Sequence, residues 1–401
     1  MPALLEAEPE RVNSFSKIGK EARPQRILIV TPYYSGKGGG IELVAHALAR
    51  RFAARCDVKW MAIDSGDGLP RDVTIQPLRG THIIERLWKV PFPILSPASI
   101  RRLLDAVQWA DVVNIHDSLY TTSQAAFFFG RLFHKPIVVT QHVGEIPYRS
   151  RLLSLAMRVG NQVVCGSLFK RATEVVFVSH TVRDSFEKLL KRKAARIIYN
   201  GVDREVFHDK APAERTAMRE RFGLAKHERV ALFVGRFVEK KGLHKLRMLV
   251  NAHPDVTWIF IGRGPLDPTD WQAPNVRVYG QMLASKLADW YCVADLLVLP
   301  SVGEGFPLVI QEALACGLAC LVAEEVKMAC PEAAPLLFSA GPRAERLSTA
   351  FAAALDCLDS DHTQRQQRAT RAQFLWDWDK CASAYLDIFY LRCKSTIAGN
   401  L

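Results

Sequence analysis

The 401-residue sequence lacks both a long hydrophobic run and an ordinary targeting segment. A membrane-spanning helix needs about 18–20 consecutive apolar residues, and charges such as Arg131, Arg158 and Lys170 interrupt every candidate stretch. Residues 1–23 lack the basic start and apolar centre of a secretory signal, so we expect a flexible tail of mixed charge. These absences argue against a membrane-spanning protein and against a cleaved leader.

Paired cysteines are also missing. The nine cysteines are an odd number without CxxC spacing, and several lie inside apolar runs, where a free thiol packs as a small hydrophobic group. Cys316 and Cys320 have no nearby Cys or His pair to complete a tetrahedral metal site. The sequence therefore predicts no metal and favours a reducing, cytoplasmic location.

The composition excludes several other classes. Hydrophobic residues make up 49% of the chain and charged residues 23%, which argues against disordered, collagen-like and coiled-coil proteins. Because one domain commonly holds about 100–200 residues, the length predicts two domains.

Positive charge is in excess and unevenly placed. The net charge is +12, and residues 149–196 carry eleven Lys and Arg against three acidic residues. Apolar segments interrupt this stretch, a pattern that fits either contact with an anionic membrane face or the solvated face of two helices. No motif that reads RNA or DNA accompanies the charge, so nucleic acid is not an expected partner.

Short apolar runs alternate with helical patterns in the first half of the chain. The run Arg26–Thr31 ends at Pro32 and suits a strand buried on both faces. A glycine-rich turn and a stretch with apolar residues at helical spacing follow it. Further runs are 57–63, 111–116, 136–140, 174–179 and 195–199. This alternation predicts a doubly wound α/β sheet.

The second half repeats the pattern. Strand-like runs begin at Arg229 and recur at 257–261, 276–279, 296–300 and 320–323. The charged stretch from residue 200 to about residue 226 indicates a linker, and an aromatic-rich closing helix follows residue 373. Two α/β units leave a cleft at the carboxyl ends of their sheets, where such folds bind ligands.

Two cations follow the first strand of the second unit. The sequence GRFVEKKG, from Gly235 to Gly242, places Arg236 and Lys241 beyond the carboxyl end of that strand. A guanidinium fork and an ammonium group there can both reach a diphosphate in the cleft. The alternative is a basic surface turn without a ligand.

Residues 300–317, PSVGEGFPLVIQEALACG, indicate a second anion site. Pro307 suits the first position of a helix and Gly317 its end, so free N–H groups at the helix start favour a phosphate. Glu304 and Glu312 would repel phosphate but accept hydrogen bonds from hydroxyl groups. A nucleotide sugar has hydroxyls on both sides of a diphosphate and fits this combination. A capping carboxylate and a solvent-facing one are the alternative.

Together these motifs resemble the retaining GT-B glycosyltransferases of family 4, also called group 1. The resemblance covers about residues 26–390 and rests on GGIE (39–42), TQHVGE (140–145), VSH and YNGVD (up to Asp203), GRFVEKKG, IGRGP (261–265) and EGFPLVIQE. It implies two facing Rossmann-like domains around a central cleft. The acceptor domain would span residues 24–205 and the nucleotide-sugar donor domain 206–373, and residues 374–401 would form a helix returning to the N-terminal domain.

The resemblance also implies roles in the donor domain. Arg236 and Lys241 would bind the diphosphate, Glu304 the hydroxyls of the donor sugar and Glu312 those of ribose, without a metal. Backbone groups would hold the phosphate and sugar at Gly305, Phe306 and Leu308, and would face the base near Gly264 and Gln281. The chain departs from the family after this helix, because AEEVKMACPEAAPL lacks the usual glycine-rich loop, so the far wall of the pocket is expected to differ.

Fewer roles follow for the N-terminal domain. Gly39 and Gly40 would let the backbone approach the donor phosphates or the acceptor, and His142 would contact the transferred sugar. His116 and Asp117, which follow a predicted strand, are candidate acceptor contacts. The alternatives are a tight turn without a ligand and a loop histidine satisfied by the backbone.

The implied activity is transfer of a sugar from a nucleoside diphosphate to an acceptor hydroxyl with retention of configuration. The product would be a polysaccharide, glycolipid or lipid-linked oligosaccharide made at the cytoplasmic face of a membrane. No carboxylate pair suited to a covalent glycosyl intermediate is evident, so the departing diphosphate would help to deprotonate the acceptor. A sugar-nucleotide epimerase or phosphorylase of the same fold, and a non-catalytic nucleotide-binding protein, stay open as alternatives.

Overall fold

A computed structural model describes residues 25–34, 39–64, 68–81, 93–144, 160–190, 195–358 and 362–398. The predicted tail, residues 1–23, lies outside this part of the chain, and so do Glu145 of the TQHVGE motif and residues 149–159 and 191–194 of the basic stretch. In the described part, no helix combines the length and apolarity needed to cross a bilayer. All nine cysteines are free.

The first half of the chain builds a seven-stranded parallel sheet in the order β3-β2-β1-β6-β7-β8-β9. The strands of this half are β1 (Arg26–Tyr33), β2 (Asp57–Ile63), β3 (Thr74–Leu78), β4 (Gly80–Thr81), β5 (Ile94–Leu95), β6 (Val112–His116), β7 (Ile137–Gln141), β8 (Glu174–Phe177) and β9 (Arg196–Ile197). The helices are α1 (Gly40–Ala53), α2 (Pro97–Trp109), α3 (Thr121–Leu132), α4 (Gly166–Arg171) and α5 (His180–Leu190). Strands β4 and β5 form a separate antiparallel pair.

Two details of this sheet differ from the prediction. Strand β1 does not stop before Pro32 but continues to Tyr33, because the register shifts after Val30 and the missing proline N–H falls in the irregularity. The sequence analysis also missed β3, whose residues TIQPL read as a loop because Pro77 and polar side chains interrupt the apolar pattern. As an edge strand, β3 tolerates both.

The second half builds a six-stranded parallel sheet in the order β12-β11-β10-β13-β14-β15. Its strands are β10 (Arg229–Val234), β11 (Val256–Ile261), β12 (Val276–Tyr279), β13 (Leu296–Leu299), β14 (Ala319–Ala323) and β15 (Leu337–Ala340). The helices are α6 (Pro212–Arg221), α7 (Leu243–Ala252), α8 (Ala284–Val293), α9 (Leu308–Ala315), α10 (Glu324–Ala329), α11 (Ala344–Asp356), α12 (His362–Leu375) and α13 (Trp378–Ala398). The predicted fold class, two doubly wound α/β units, is confirmed.

The stretch predicted as a linker is partly a helix of the second domain. Helix α6 is fixed to that domain by two arginines: Arg215 Nη2 lies 2.6 Å from Asp295 Oδ1, and Arg219 donates to the carbonyl of Val293 at 2.6 Å. The high charge that suggested a solvated linker therefore serves a packed helix. Sequence patterning missed this because the partners lie more than 70 residues away.

The chain returns to the first domain at its end, as the fold prediction required. The closing segment is broken rather than continuous, since α12 ends at Leu375 and α13 begins at Trp378. At the break, Val202 pairs with Asp377, and its N–H donates to the Trp376 carbonyl at 3.1 Å. Helix α13 then packs on α1, where the rings of Phe389 and Phe52 lie 5.4 Å apart.

Candidate active site

The two predicted anion motifs meet at the carboxyl edge of the second sheet. Strand β10 leads into the turn of residues 239–241, and this turn ends at Gly242 with a φ of 77°. A Cβ at Gly242 would lie 2.7 Å from the Pro300 carbonyl oxygen, so only glycine allows the approach. The Val302 N–H donates to the Lys240 carbonyl at 2.9 Å. The turn and the loop of residues 301–307 are thus held side by side.

A cluster of cations surrounds Glu304. Lys241 Nζ lies 3.1 Å from Glu304 Oε1, Lys240 Nζ lies 3.6 Å from the same atom, and the Lys241 and Glu304 side chains are both nearly buried. Burial lowers the pKa of Lys241, as do the charges of Lys240 and Arg236, while Glu304 opposes this change. Two lysines, Lys240 and Lys241, thus lie close to the one carboxylate of Glu304, and the excess of positive charge at this turn favours an anion.

Arg236 also acts across the cleft. Burial raises the pKa of Tyr120 in the first domain, and the Arg236 charge opposes this rise. Tyr120 stands directly before α3. The structure therefore pairs Lys241 with Glu304 and places Arg236, which is exposed, within electrostatic range of Lys241 and of the first domain.

Helix α9 begins beside this cluster. Pro307 precedes the helix as its N-cap rather than occupying its first turn, which corrects the predicted position by one residue. No side chain in the described part of the chain caps this end. Free N–H groups and the helix dipole make such an end attractive to a phosphate. At the other end, Gly317 adopts a φ of 74° that suits glycine.

Glu312 lies in α9 and has a partner that the sequence did not indicate. Tyr291 of α8 donates to Glu312 Oε2 at 2.9 Å. Burial raises the pKa of Glu312 to about 7, although the Tyr291 hydrogen bond opposes the change. A carboxyl group with such a pKa both donates and accepts hydrogen bonds near neutral pH, which suits the two hydroxyls of a ribose.

Gly264 and Gln281 follow neighbouring strands, because β11 pairs with β12 at Ile261 and Tyr279. Both residues are exposed at the same sheet edge. A Cβ at Gly264 would lie 2.3 Å from the Phe237 carbonyl oxygen. The need for glycine at 264 therefore comes from the turn that carries Arg236.

The two glycines before α1 differ in what surrounds them. A Cβ at Gly39 would lie 2.0 Å from Glu42 Oε2, so glycine at 39 makes room for a buried carboxylate of the same helix. Among the described residues, nothing lies within 4 Å of a Cβ at Gly40. From the sequence we expected both glycines to approach a ligand, with a tight turn as the alternative, and the position of Glu42 next to Gly39 was not foreseen.

The structure brings His142 and His116 into contact at the carboxyl edge of the first sheet. Their rings stack at 5.1 Å, and His116 Nδ1 lies 2.9 Å from His142 Nε2. His116 is fully buried, and its second nitrogen bonds Asn114. The prediction that His116 contacts an acceptor is therefore wrong, because neither ring nitrogen is available. Asp117 is also buried and accepts from the His142 N–H at 2.9 Å.

Gly305 joins the two domains. Its carbonyl accepts from Ser179 Oγ at 3.0 Å and from Thr181 Oγ1 at 3.4 Å. A Cβ on Gly305 would lie 2.2 Å from the His142 carbonyl oxygen. The motif VSH was recognised in the sequence without a role for Ser179, which fixes the loop of residues 301–307, hereafter the donor loop, against the first domain.

The residues after Gly305 continue this interface. The Phe306 ring lies 5.3 Å from that of Trp376, next to the break between α12 and α13. Leu308 packs against the hydrophobic cluster that α13 shares with the first domain. The side chains of Phe306 and Leu308 therefore anchor the loop, which leaves their backbone groups to meet a ligand.

Glu325 is a further site residue that sequence reasoning missed. It lies in α10 and accepts a hydrogen bond from the N–H of Gly303 in the donor loop. The segment AEEVKMACPEAAPL, which departs from the family pattern, forms α10 and a turn at Pro331–Leu336. A helix therefore forms this wall of the site, and its carboxylate orients the loop.

Two open surface pockets lie away from these residues. One, of about 370 Å³, lies between α7 and α11, and the other, of about 270 Å³, lies between β3 and α2. None of the residues that the sequence analysis assigned to the site lines either pocket. The chemistry-bearing residues are gathered in the cleft instead.

Comparison with known proteins agrees with this geometry. The family model described as Glycosyltransferase Family 4 matches residues 38–206, and the one described as Glycosyl transferases group 1 matches residues 228–358. The chain is 26% identical to a D-inositol 3-phosphate glycosyltransferase of Xylanimonas cellulosilytica, over 90% of this chain and 93% of that protein. It is 28% identical to the putative teichuronic acid biosynthesis glycosyltransferase TuaC of Bacillus subtilis, over 57% of each.

Solved structures share the fold. A structure of Anabaena HepE in complex with UDP and glucose has a TM-score of 0.69 at 18% identity and covers 91% of this chain and 99% of its own. WaaG, a glycosyltransferase involved in lipopolysaccharide biosynthesis, has a TM-score of 0.67 at 15% identity, over 90% and 99%. Because the two family models together match most of the chain, the protein belongs to the GT-B glycosyltransferases of family 4, group 1.

Proposed function

We propose that the enzyme moves a hexosyl group from a nucleoside diphosphate to an acceptor hydroxyl with retention of configuration and without a metal. The ion pair of Lys241 with Glu304 carries this proposal, because it joins the cationic turn to the donor loop. The free start of α9 lies on the same loop. A diphosphate fits between the cations and the helix start, with hydroxyl acceptors on either side.

The cations serve the leaving group. When a diphosphate binds, Lys241 exchanges Glu304 for a phosphate oxygen, which frees Glu304 for sugar hydroxyls. The bond from the anomeric carbon to the phosphate oxygen breaks, the acceptor oxygen bonds the same face of that carbon, and the acceptor proton moves to the departing phosphate. Each charge-assisted hydrogen bond contributes about 1.5–3 kcal/mol, so Arg236 and Lys241 together can accelerate departure by roughly a hundredfold or more.

A panel of nucleotide sugars tests the donor site. At a hundred times its dissociation constant a ligand stabilises a protein by about 2.7 kcal/mol, so the right UDP, GDP or ADP sugar raises the melting temperature, whereas a CMP sugar, which has no diphosphate, should not. Arg236→Ala and Lys241→Ala are expected to lose this rise and most turnover. Arg247→Ala, an exposed cation in α7, is the matched control and keeps both. Near-normal turnover in both site variants would reject the clamp.

For the acceptor, we infer a growing glycan or lipid-linked sugar at the cytoplasmic face of a membrane. The similarity to TuaC, a putative glycosyltransferase of teichuronic acid biosynthesis, and to WaaG of lipopolysaccharide biosynthesis supports a glycan product. The first domain also shows apolar side chains one helical turn apart, with Phe128 63% and Leu132 56% exposed. Arg131 lies between them in sequence. An apolar and basic face of this kind favours contact with anionic lipids.

Vesicle sedimentation tests this contact. The protein is expected to sediment with vesicles of anionic lipid, and salt is expected to weaken the binding because surface charges are screened. The double change of Phe128→Ser with Leu132→Ser should weaken it further. Met248→Ser, at an exposed apolar residue of the second domain, is the control that should not. Absence of binding, or binding that salt leaves unchanged, would reject the attachment.

A further inference from the structure

A chain of hydrogen bonds runs from His142 at the cleft to α13. His142 Nε2 lies 2.9 Å from His116 Nδ1, and His116 Nε2 lies 3.0 Å from Asn114 Oδ1. Asn114 Nδ2 donates to Thr140 Oγ1 at 3.3 Å, and Thr140 Oγ1 donates to Tyr385 Oη at 3.1 Å. All of these side chains are buried.

One backbone carbonyl fixes the direction of the whole chain. Asn114 Nδ2 lies 3.2 Å from the Val138 carbonyl oxygen, which can only accept. The amide nitrogen must therefore face Val138, and the amide oxygen must face His116. It follows that His116 carries its proton on Nε2, which leaves Nδ1 as an acceptor. His142 must then donate from Nε2, and its own Nδ1 is left without a proton.

The remaining nitrogen of His142 is available to a ligand. In the described part of the chain, no hydrogen bond involves His142 Nδ1. Asp117 accepts from the backbone N–H of His142 rather than from its ring. His142 is 6% exposed, and its backbone carbonyl lies where Gly305 of the other domain approaches most closely.

We propose that Asn114 and His116 are positioning residues that hold His142 in one neutral tautomer, so that Nδ1 accepts a hydrogen bond from a hydroxyl of the transferred sugar. This inference rests on the proposed function and deepens it. A lone pair fixed in this way selects a hydroxyl over a carboxylate or a carbonyl at that point of the sugar, because neither of those groups can donate.

Burial supports a neutral pair. It lowers the pKa of His142 to about 3 and that of His116 well below its usual value, and the neighbouring ring adds to the effect on His116. Protonation of His116 would reverse its hydrogen bond with His142, since Nδ1 would then donate as Nε2 does. Because a charged imidazolium is costly among these buried groups, the direction set by Val138 is kept.

The protonation of each ring nitrogen can be measured directly by ¹⁵N–¹H NMR of histidine-labelled full-length protein. The spectrum separates protonated from bare nitrogens, and His142→Gln and His116→Gln assign the two rings among the eleven histidines. We expect both rings to show a protonated Nε2 and a bare Nδ1. A protonated Nδ1 on His142 would overturn the proposal. Because the measurement needs no substrate, it tests the tautomer of His142 independently of the proposed sugar transfer.

Two variants test the positioning role. Asn114→Leu removes the acceptor of His116, and we expect the His142 signals to shift towards a mixture of tautomers while turnover falls about tenfold, the loss of one hydrogen bond. Tyr385→Phe changes only the far end of the chain and should leave both the signals and turnover unchanged. A folded Asn114→Leu protein with the wild-type His142 spectrum would contradict the inference. If Asn114→Leu does not fold, the wild-type spectrum still decides.

Discussion

The carboxyl groups of the site differ in whether a positive charge compensates them. Glu304 is balanced by Lys241, whereas Glu312 has a neutral partner, Tyr291. For Glu312 burial prevails and its pKa rises to about 7. Burial also raises the pKa of Asp117 to about 7, with the charge of Glu42 acting in the same direction.

These shifts predict a pH dependence of stability. The raised pKa of Glu312 means that the folded protein keeps a proton that the unfolded chain releases above pH 4.5. Its contribution is therefore complete below that pH and is lost as pH rises through 7, by about 1–3 kcal/mol. Glu312→Gln keeps the shape and does not titrate, so the fall in melting temperature from pH 5 to pH 8 should shrink by several degrees.

The control for this experiment is Glu345→Gln, which changes an exposed carboxylate of α11. Its melting temperatures should follow those of the unchanged protein at every pH. An equal fall in Glu312→Gln and in the unchanged protein would show that Glu312 is ionised in the folded state, contrary to the burial argument.

At the scale of single residues, the sequence predicted the positions of site residues more accurately than their side-chain contacts. Arg236 and Lys241 were placed correctly at a sheet edge because strand ends follow from the apolar pattern. The pairing of His116 with His142 was not foreseen, because it depends on which strands are neighbours and on side-chain rotamers. The carboxylate of Glu42 over Gly39 is a similar case, since only packing decides where a glutamate turns.

The donor loop is the element on which both domains depend. It is oriented by Glu325 and held by Ser179, and its Gly305 meets the His142 carbonyl. Helix α12 also supports α9 through its buried residue Arg365. The Arg365 guanidinium donates to carbonyls at the ends of α8 and α9, those of Cys292 at 3.1 Å and Cys316 at 3.2 Å. A cation at two helix carboxyl ends stabilises both dipoles.

Gly305→Ala tests the loop. Its methyl group would lie 2.2 Å from the His142 carbonyl oxygen, a backbone atom that cannot move aside cheaply. We expect the loop to shift away from Ser179 and turnover to fall at least a hundredfold, because misplacement by about 1 Å costs that much in catalysis. Steady-state kinetics measure the loss, and circular dichroism checks that the domains remain folded.

Gly160→Ala is the matched control, since no atom of the described residues lies within 4 Å of a Cβ there and the change should be silent. Full activity of Gly305→Ala would mean that the two domains do not need this approach for catalysis.

Elements were predictable where one local pattern governs them. Strands β10 and β13 are continuous apolar runs because both faces are buried, and their positions were predicted closely. Strand β3 was missed because an edge strand need not be apolar. The break before α13 was missed because Trp376 and Asp377 continue a helical pattern, and the turn is imposed by pairing with Val202.

For the whole molecule, the repeated alternation of strands and helices was enough to predict two doubly wound domains. That pattern did not predict how the two domains pack against each other. This packing depends on close approaches such as Gly201, where a Cβ would lie 2.4 Å from the Trp378 backbone nitrogen. It also depends on Gln311 Nε2, which donates to the Asn200 carbonyl at 2.7 Å. These contacts hold residues 200–201, α9 and α13 together beside the donor site.

The central claim is that the cationic turn of residues 239–241 and the start of α9 bind a diphosphate between them. The most direct test is a crystal structure of the protein with a bound nucleoside diphosphate sugar. We expect phosphate oxygens within hydrogen-bond distance of Arg236 and Lys241, at the start of α9, with Lys241 no longer paired to Glu304. A diphosphate bound elsewhere, with the Lys241–Glu304 pair intact, would contradict it.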